Sequence, residues 1–382
     1  MINEIIAGTA FLSASWYWLT HRDTNLEKLC QIFETNNIKS GAQIPRFSKR
    51  RGNVYLFRLP IGMSFDQIKA KEQVFRDAFP NKAVEIEFKR TLRIVIADPL
   101  TKTATYDGEP TGWRIPIGRN VERTVFHDFR KYPHLLVAGM TRYGKTVFLK
   151  LLISSIVAAK PKASQLVLID MKGGLAFNRF SALNQTKWLA TNVDEAIRAL
   201  LWVADEAKRR QQYFLANSVE KIEDLTKPYT RIFVIVDEAA ELTMQGRRGK
   251  DAQPYQECER LLSYIARVGA GLGIHLIYCT QYPTAATLPQ QIKQNCDATI
   301  SFRLRNSTAS RVVFDESGKA EDLPPIPGRA IYRTDRDIEL QVFYIDDERI
   351  DEIIAANKRE VNDVEPPTDE GSATGGDIII FK

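Results

Sequence analysis

Apolar residues recur along this chain with two alternating spacings. Between Asn25 and Asn37, Leu26, Leu29, Ile32 and Phe33 fall three and four apart, which predicts a helix. "VYLFRLP", from Val54, alternates and predicts a strand. "SFDQIKAKEQVFRDAF" follows with Ser64 in N-cap position and a helical apolar face, and "AVEIEF" and "TLRIVIAD" predict two further strands. Between the first helix and this module, "GAQIPRFSKRRGN" gathers Gly, Pro, Ser and basic residues, the composition of a loop or linker. The module ends near Pro99, where the turn-rich "PLTKTATYDGEPTGW" leads on. From about Ile115 to Ile345 the apolar runs "HLLVAG", "QLVLID", "IFVIVD", "HLIYCT" and "ATISFR" alternate with helical stretches. Such uniformly apolar, β-branched strands predict burial on both faces of a parallel sheet, and the alternation predicts a doubly wound α/β domain.

The two ends depart from this pattern. Ile5 to Leu19 is uncharged, closes on Trp16, Tyr17 and Trp18, and is followed by Arg22 and Lys28. It is short against the roughly 20 residues of a spanning helix, but its aromatic end and basic flank predict a single membrane anchor with the following side in the cytoplasm. "ANKREVNDVEPPTDEGSATGGDIIIFK" is acidic, rich in Pro and Gly and poor in core formers, and predicts a disordered tail. The expected organisation is an anchor at 1–20, a helix and basic linker at 21–52, a small α/β domain at 53–112, a larger α/β domain at 113–350 and a tail at 351–382.

Composition adds limits. The 382 residues, 44% of them hydrophobic, suffice for two cores. Lys and Arg outnumber Asp and Glu by 53 to 47, a net +6 that permits a polyanionic partner without requiring one. Cys30, Cys258, Cys279 and Cys296 form no metal spacing and read as reduced thiols, and four scattered His residues argue against catalytic zinc.

The candidate chemistry begins after "HLLVAG". Gly139-Met140-Thr141-Arg142-Tyr143-Gly144-Lys145-Thr146, leading into Val147, fits G-x-x-x-x-G-K-[ST] between a strand and a helix. The two glycines let backbone N–H groups wrap phosphate oxygens, Lys145 would pair with the β- and γ-phosphates of ATP, and Thr146 would ligate Mg²⁺. In "RIFVIVDEAAEL" an apolar strand delivers Asp237 to the Mg²⁺ shell and Glu238 to the attacking water, the arrangement of a hydrolysing ATPase. Thr280 and Gln281 close another strand at its carboxyl end, where Gln281 could sense the γ-phosphate. Lys172-Gly173-Gly174 in "LIDMKGGLAF" makes a tight basic turn that by itself says nothing.

Taken together and in order, "IPIGRN", "KYPHLLVAGMTRYGKTVFLK", "LIDMKGGLAF", "FVIVDEAAEL", "IARVGAGLGIHLIYCTQYPT", "QIKQNCDATISFRL" and "ASRVVFDESGKAEDLPPIPGRAIY" resemble the motor domain of the FtsK/SpoIIIE family of DNA translocases. The resemblance spans about Trp113 to Tyr344 and reaches back more faintly over the preceding small domain. It implies a RecA-like P-loop NTPase motor in a hexameric ring, with double-stranded DNA in a central channel and ATP at subunit interfaces. Gly139, Gly144, Lys145 and Thr146 take the Walker A role, Asp237 and Glu238 the Walker B role, and Gln281 the sensor position. Arg311 in "ASRVVFD" is preferred over Arg267 as an arginine finger acting in trans. Lys293, Arg303, Arg305 and Lys319, together with "RFSKRR" and "QGRRGK", are candidate phosphate contacts. Three departures stand out. Ala270 fills a position where many relatives carry Arg, Arg142 and Tyr143 are bulkier than the residues usual between the glycines, and nothing resembling the orientation-reading winged helix follows Asp351.

The implied function is an ATP-driven pump for double-stranded DNA at the bacterial cell membrane, serving a plasmid, prophage or integrative element alongside its transfer or replication proteins. The alternatives are a conjugative coupling protein handling single-stranded DNA and a membrane-associated ATP-binding adaptor that moves nothing.

Overall fold

In the computed structural model, which describes residues 23–106, 109–226 and 229–359, Asp23 opens the first helix by accepting the Leu26 N–H. That helix, α1 (Thr24–Thr35), turns Leu29, Ile32 and Phe33 inward. Next come β1 (Arg46–Arg51), β2 (Val54–Arg58), α2 (Phe65–Lys69), α3 (Glu72–Ala78), β3 (Ala83–Lys89) and β4 (Thr91–Ala97). The strands form an antiparallel sheet in the order β1-β2-β4-β3. Phe33 meets Phe57 edge-on at 5.1 Å and Phe75 at 5.7 Å, tying α1 and α3 to the sheet. The chain divides into two units at Leu100, close to the expected Pro99.

Three expectations for this first unit are corrected. "RFSKRR" is an edge strand, not a linker, because its backbone pairs with β2 although every side chain on it is exposed. The helix from Ser64 breaks into α2 and α3, and Ser64 makes no side-chain cap. Residues 24–51 fold with 54–97 in one unit, so the expected boundary at 52 does not hold.

The second unit is built on β5 (Ala104–Thr105), β6 (Arg114–Arg119), β7 (Thr124–Asp128), β8 (Leu135–Ala138), α4 (Lys145–Ala159), β9 (Ser164–Ile169), β10 (Thr186–Ala190) and α5 (Val193–Ala216). It continues through β11 (Arg231–Val236), α6 (Gln253–Leu272), β12 (Ile274–Thr280), α7 (Gln290–Asn295), β13 (Ala298–Phe302), α8 (Ser307–Phe314), β14 (Arg329–Arg333), β15 (Asp337–Tyr344) and α9 (Asp347–Ala356). Among the described residues these strands form an 11-stranded sheet, ordered β10-β9-β11-β12-β8-β13-β14-β15-β6-β7 with β5 beside β15.

Successive residues of the central strands face opposite cores. Leu136, Val234, Val236 and Leu276 join the α5 and α6 side, whereas Leu135, Val137, Phe233, Ile235 and Ile277 join the α4 and α9 side. α5 starts on a reciprocal cap, with Asn192 accepting the Glu195 N–H and Glu195 accepting the Thr191 N–H. α6 stops at Gly273, left-handed at φ 70°.

The all-parallel expectation is half right. β10 through β13 run parallel around β8, but β14, β15, β6 and β7 are antiparallel. The turns joining β6 to β7 and β14 to β15 are too short for a crossover and permit only hairpins.

The expected tail from 351 is also corrected. α9 buries Ile350 and Ile353, and the Arg359 N–H donates to the Ala182 carbonyl. The rest of that segment, 360–382, and the expected anchor, Ile5 to Leu19, lie outside the described residues. Among the described residues no helix is long and apolar enough to cross a membrane. The four cysteines are free thiols.

Candidate functional site: a phosphate loop facing an acidic strand end

β8 is wholly buried between β12 and β13, so the loop that leaves it emerges near the middle of the whole sheet. Gly139 sits at φ 146°, and a Cβ there would lie 2.6 Å from the Cβ of Phe302. No side chain fits that approach. The Met140 N–H donates to the Arg303 carbonyl, and the Tyr143 carbonyl accepts the Gly328 N–H, which pins the loop at both shoulders. Gly144 then takes φ 109° as the N-cap of α4.

The start of α4 has no side-chain cap and no acidic residue in its first turn. Its first N–H groups are left free by helix geometry. Lys145 is 4% exposed, and among the described residues no acidic group lies within ion-pair distance of its ammonium. Burial pushes its pKa down, against the pull of Glu238 and Asp237. A buried cation without a contact partner, beside unbonded N–H groups, fits a polyphosphate anion.

The loop opens on a cavity of about 610 Å³, lined on one side by Met140, Thr141, Arg142 and Gly144 to Val147. The other walls are Lys102 to Ala104, Pro325 to Gly328 and Gln341 to Tyr344. A largely apolar wall opposite a phosphate cradle suits the base and sugar of a nucleotide. These walls were not legible as site residues, because no local pattern marks them.

β11 carries six buried residues and delivers Asp237 and Glu238 at its carboxyl end, 3% and 4% exposed. Glu238 Oε1 accepts from the Thr280 hydroxyl at 3.2 Å and from the Gln281 N–H at 3.1 Å, while Oε2 lies 3.2 Å from the same N–H. Burial pushes its pKa up, and the Gln281 N–H with Lys145 and Lys172 opposes that. Asp237 is also pushed up by burial and drawn back by Lys172, Lys145 and the Thr146 hydroxyl. Thr146 and Asp237 together make a small oxygen donor set of the kind Mg²⁺ takes alongside phosphate oxygens and water. Among the described residues no group of three or more His, Cys, Asp and Glu could hold a metal unaided.

Gln281 is anchored as well. Its side-chain carbonyl accepts from the Thr141 hydroxyl at 2.8 Å, so the phosphate loop and the end of β12 are joined directly. Lys172, uninformative in sequence, reaches Glu238 Oε2 at 3.6 Å and Asp237 Oδ2 at 4.0 Å.

The remaining candidates fall elsewhere. Arg311 on α8 and Arg267 on α6 are exposed and line no part of this cavity. Ala270 lies in the last turn of α6, where its carbonyl accepts the Gly273 N–H. Among the proposed phosphate contacts, Lys293 pairs with Asp315, Lys319 with Asp337 and Glu316, and Arg303 donates to the Leu323 carbonyl. Those three are committed within the chain. Arg305 is exposed, as are Arg248 and Lys250, whereas Arg247 packs on Tyr255 at 3.6 Å.

Residues 100–229 match the model of the FtsK/SpoIIIE family. The DNA translocase FtsK of Mycobacterium tuberculosis is 30% identical over 318 residues, covering 76% of this chain and 36% of that protein. The DNA translocase FtsK of Borreliella burgdorferi is 32% identical over 258 residues, covering 62% of this chain and 30% of that one. The chain thus spans about a third of the length of these curated relatives. Two solved structures share the fold. One is the pCW3 conjugation coupling protein TcpA in monomer form with ATPγS, at TM-score 0.63 and 24% identity, covering 88% of this chain and 100% of that one. The other is the cytoplasmic domain of the Thermomonospora curvata type VII secretion ATPase EccC, at TM-score 0.57 and 23% identity, covering 71% of this chain and 34% of that one.

Proposed function

Because this chain belongs to the FtsK/SpoIIIE family of P-loop ATPases, we propose that it hydrolyses ATP to drive double-stranded DNA through a ring of its own copies. The observation that carries this reading is the hydrogen-bonded link from the phosphate loop through Thr141 and Gln281 to Glu238, which joins the loop before Lys145 to the acidic strand end. Magnesium-bound ATP supplies the anhydride bond whose cleavage releases the driving free energy. The chain's own groups do the rest. The N–H groups of the phosphate loop and the Lys145 ammonium bind and neutralise the triphosphate. Asp237 and Thr146 hold the cation. Glu238, oriented by the Thr280 hydroxyl and the Gln281 N–H, accepts a proton from the attacking water.

In this reading the motor is RecA-like and its ring is hexameric. Arg311, exposed and outside its own chain's cavity, reaches the γ-phosphate of the neighbouring subunit. Gln281 reports the state of the γ-phosphate in its own chain's site to β12. The DNA substrate is gripped through its phosphates, by Arg305, Arg248 and Lys250, without base readout. The apolar Ile5 to Leu19 tethers the motor to the membrane, and the work served is the movement of a plasmid, prophage or integrative element.

The test is ATP turnover by the full chain, titrated with linear duplex and with single strands across salt. Duplex should stimulate hydrolysis with a steep salt dependence, and Lys145→Ala should abolish it. No hydrolysis in the presence of duplex, or stimulation by single strands alone, overturns the proposal.

A further inference from the structure

β9 ends at Asp170, which is fully buried and shapes the turn that follows. Its carboxylate accepts the Lys172 N–H at 3.1 Å and the Ala176 N–H at 2.7 Å, while its backbone carbonyl accepts the Gly174 N–H at 3.2 Å. This turn sits beside β11, the parallel neighbour of β9. It carries the Lys172 ammonium to 3.6 Å from Glu238 Oε2 and 4.0 Å from Asp237 Oδ2. Among the described residues, Lys172 is the one basic side chain within ion-pair distance of either carboxylate.

Two adjacent buried carboxylates repel one another and resist desolvation. Keeping both ionised therefore takes a cation nearby. Lys145 is committed to the phosphate side and forms no ion pair here, whereas the Lys172 side chain is 44% exposed and free to swing toward solvent.

We infer that Lys172 is a tethered counter-ion for the acidic pair: it stands in for the divalent cation while the site holds no nucleotide and gives way when metal arrives with ATP. This rests on the nucleotide-binding reading above. Lys172 is a positioning residue that keeps Asp237 and Glu238 in place, and its charge opposes entry of a metal ion unaccompanied by phosphate.

The experiment titrates the nucleotide-free full chain with Mn²⁺ alone, following free Mn²⁺ by electron paramagnetic resonance. Removing a unit charge at this range should tighten Mn²⁺ binding by about tenfold in Lys172→Met. Lys172→Arg, which keeps the charge, should bind Mn²⁺ as the wild type does. Thermal melting in chelator should show Lys172→Met folded but less stable than wild type, with the gap closing once Mn²⁺ is added. A purely structural role for the lysine would lower the melting temperature and leave Mn²⁺ affinity unmoved, which overturns the inference, as would absence of Mn²⁺ binding in both proteins. A parallel titration with ATP and Mn²⁺ together separates the two readings. Uptake of the pair by wild type keeps the nucleotide site standing whatever Lys172 does, and its failure removes both.

Discussion

Glu238 is held by two donors, so in the proposed mechanism its carboxylate is already aimed. Glu238→Gln keeps the shape and loses the proton acceptor. It should retain ATP affinity while turnover falls by about 10²–10⁴-fold, as single-turnover kinetics and equilibrium nucleotide binding would show. An equal loss of binding and turnover would instead assign Glu238 to holding the ligand. At this scale the candidate site was legible wherever spacing is local: Gly139 to Thr146 and Asp237-Glu238 each announce themselves within one strand and one turn. Lys172 did not. Its role depends on β9 and β11 lying side by side, and no run of neighbouring residues encodes that adjacency.

The elements explain why the phosphate loop tolerates so little change. β13 passes under Gly139, and the wall around Gly328 closes over Gly144 from the other side, with a Cβ at Gly144 only 3.2 Å from the Gly328 nitrogen. Gly139→Ala should cost about 1–3 kcal/mol through overpacking against Phe302 and should weaken ATP binding as the loop shifts. Chemical denaturation and nucleotide titration check the two parts, and an unchanged midpoint would show that β13 yields. The parallel strands β8, β9, β11, β12 and β13 were legible from their unbroken apolar runs. The antiparallel strands β7 and β15 of the larger unit were not, because their burial is mixed: β7 alternates half-buried with buried residues, and β15 is buried only from Leu340 to Phe343. β1 was misread for the opposite reason. Its strand character lies in backbone pairing with β2, while its side chains carry the composition of a loop.

On the scale of the molecule, three histidines lie in the interior of the larger unit as neutral rings. Burial holds His127 down to about 3 and His134 down to about 4, and burial beside Arg231 pushes His275 well below the ordinary value. His275 is fixed in one tautomer, with Nδ1 against the Pro133 carbonyl and Nε2 facing Arg231. The unfolded chain protonates all three near pH 6.5, where the folded chain does not. Stability should therefore fall as pH drops below about 6.5, by roughly 1.4 kcal/mol per histidine per unit until each folded value is reached. Asp237 and Glu238, raised by burial, take up protons in the folded state and recover part of that loss in stronger acid. Urea midpoints of the full chain at pH 7.5 and 5.5 measure the slope, and a flat profile would mean that these rings are solvated. The division at Leu100 and the larger α/β unit were legible from composition and alternation. The ordered end was not, because α9 gains its stability from Ile350 and Ile353 meeting a core assembled far upstream.

That last helix has a practical corollary. α9 lies against α4, whose first turn lines the candidate nucleotide cavity, and its Ala355 is exposed. A fluorophore placed at Ala355 rides on a helix packed against the one that begins at Lys145. Under the proposed function its anisotropy should change as ATP fills the loop at the start of α4, a reading taken from a position outside the cavity lining.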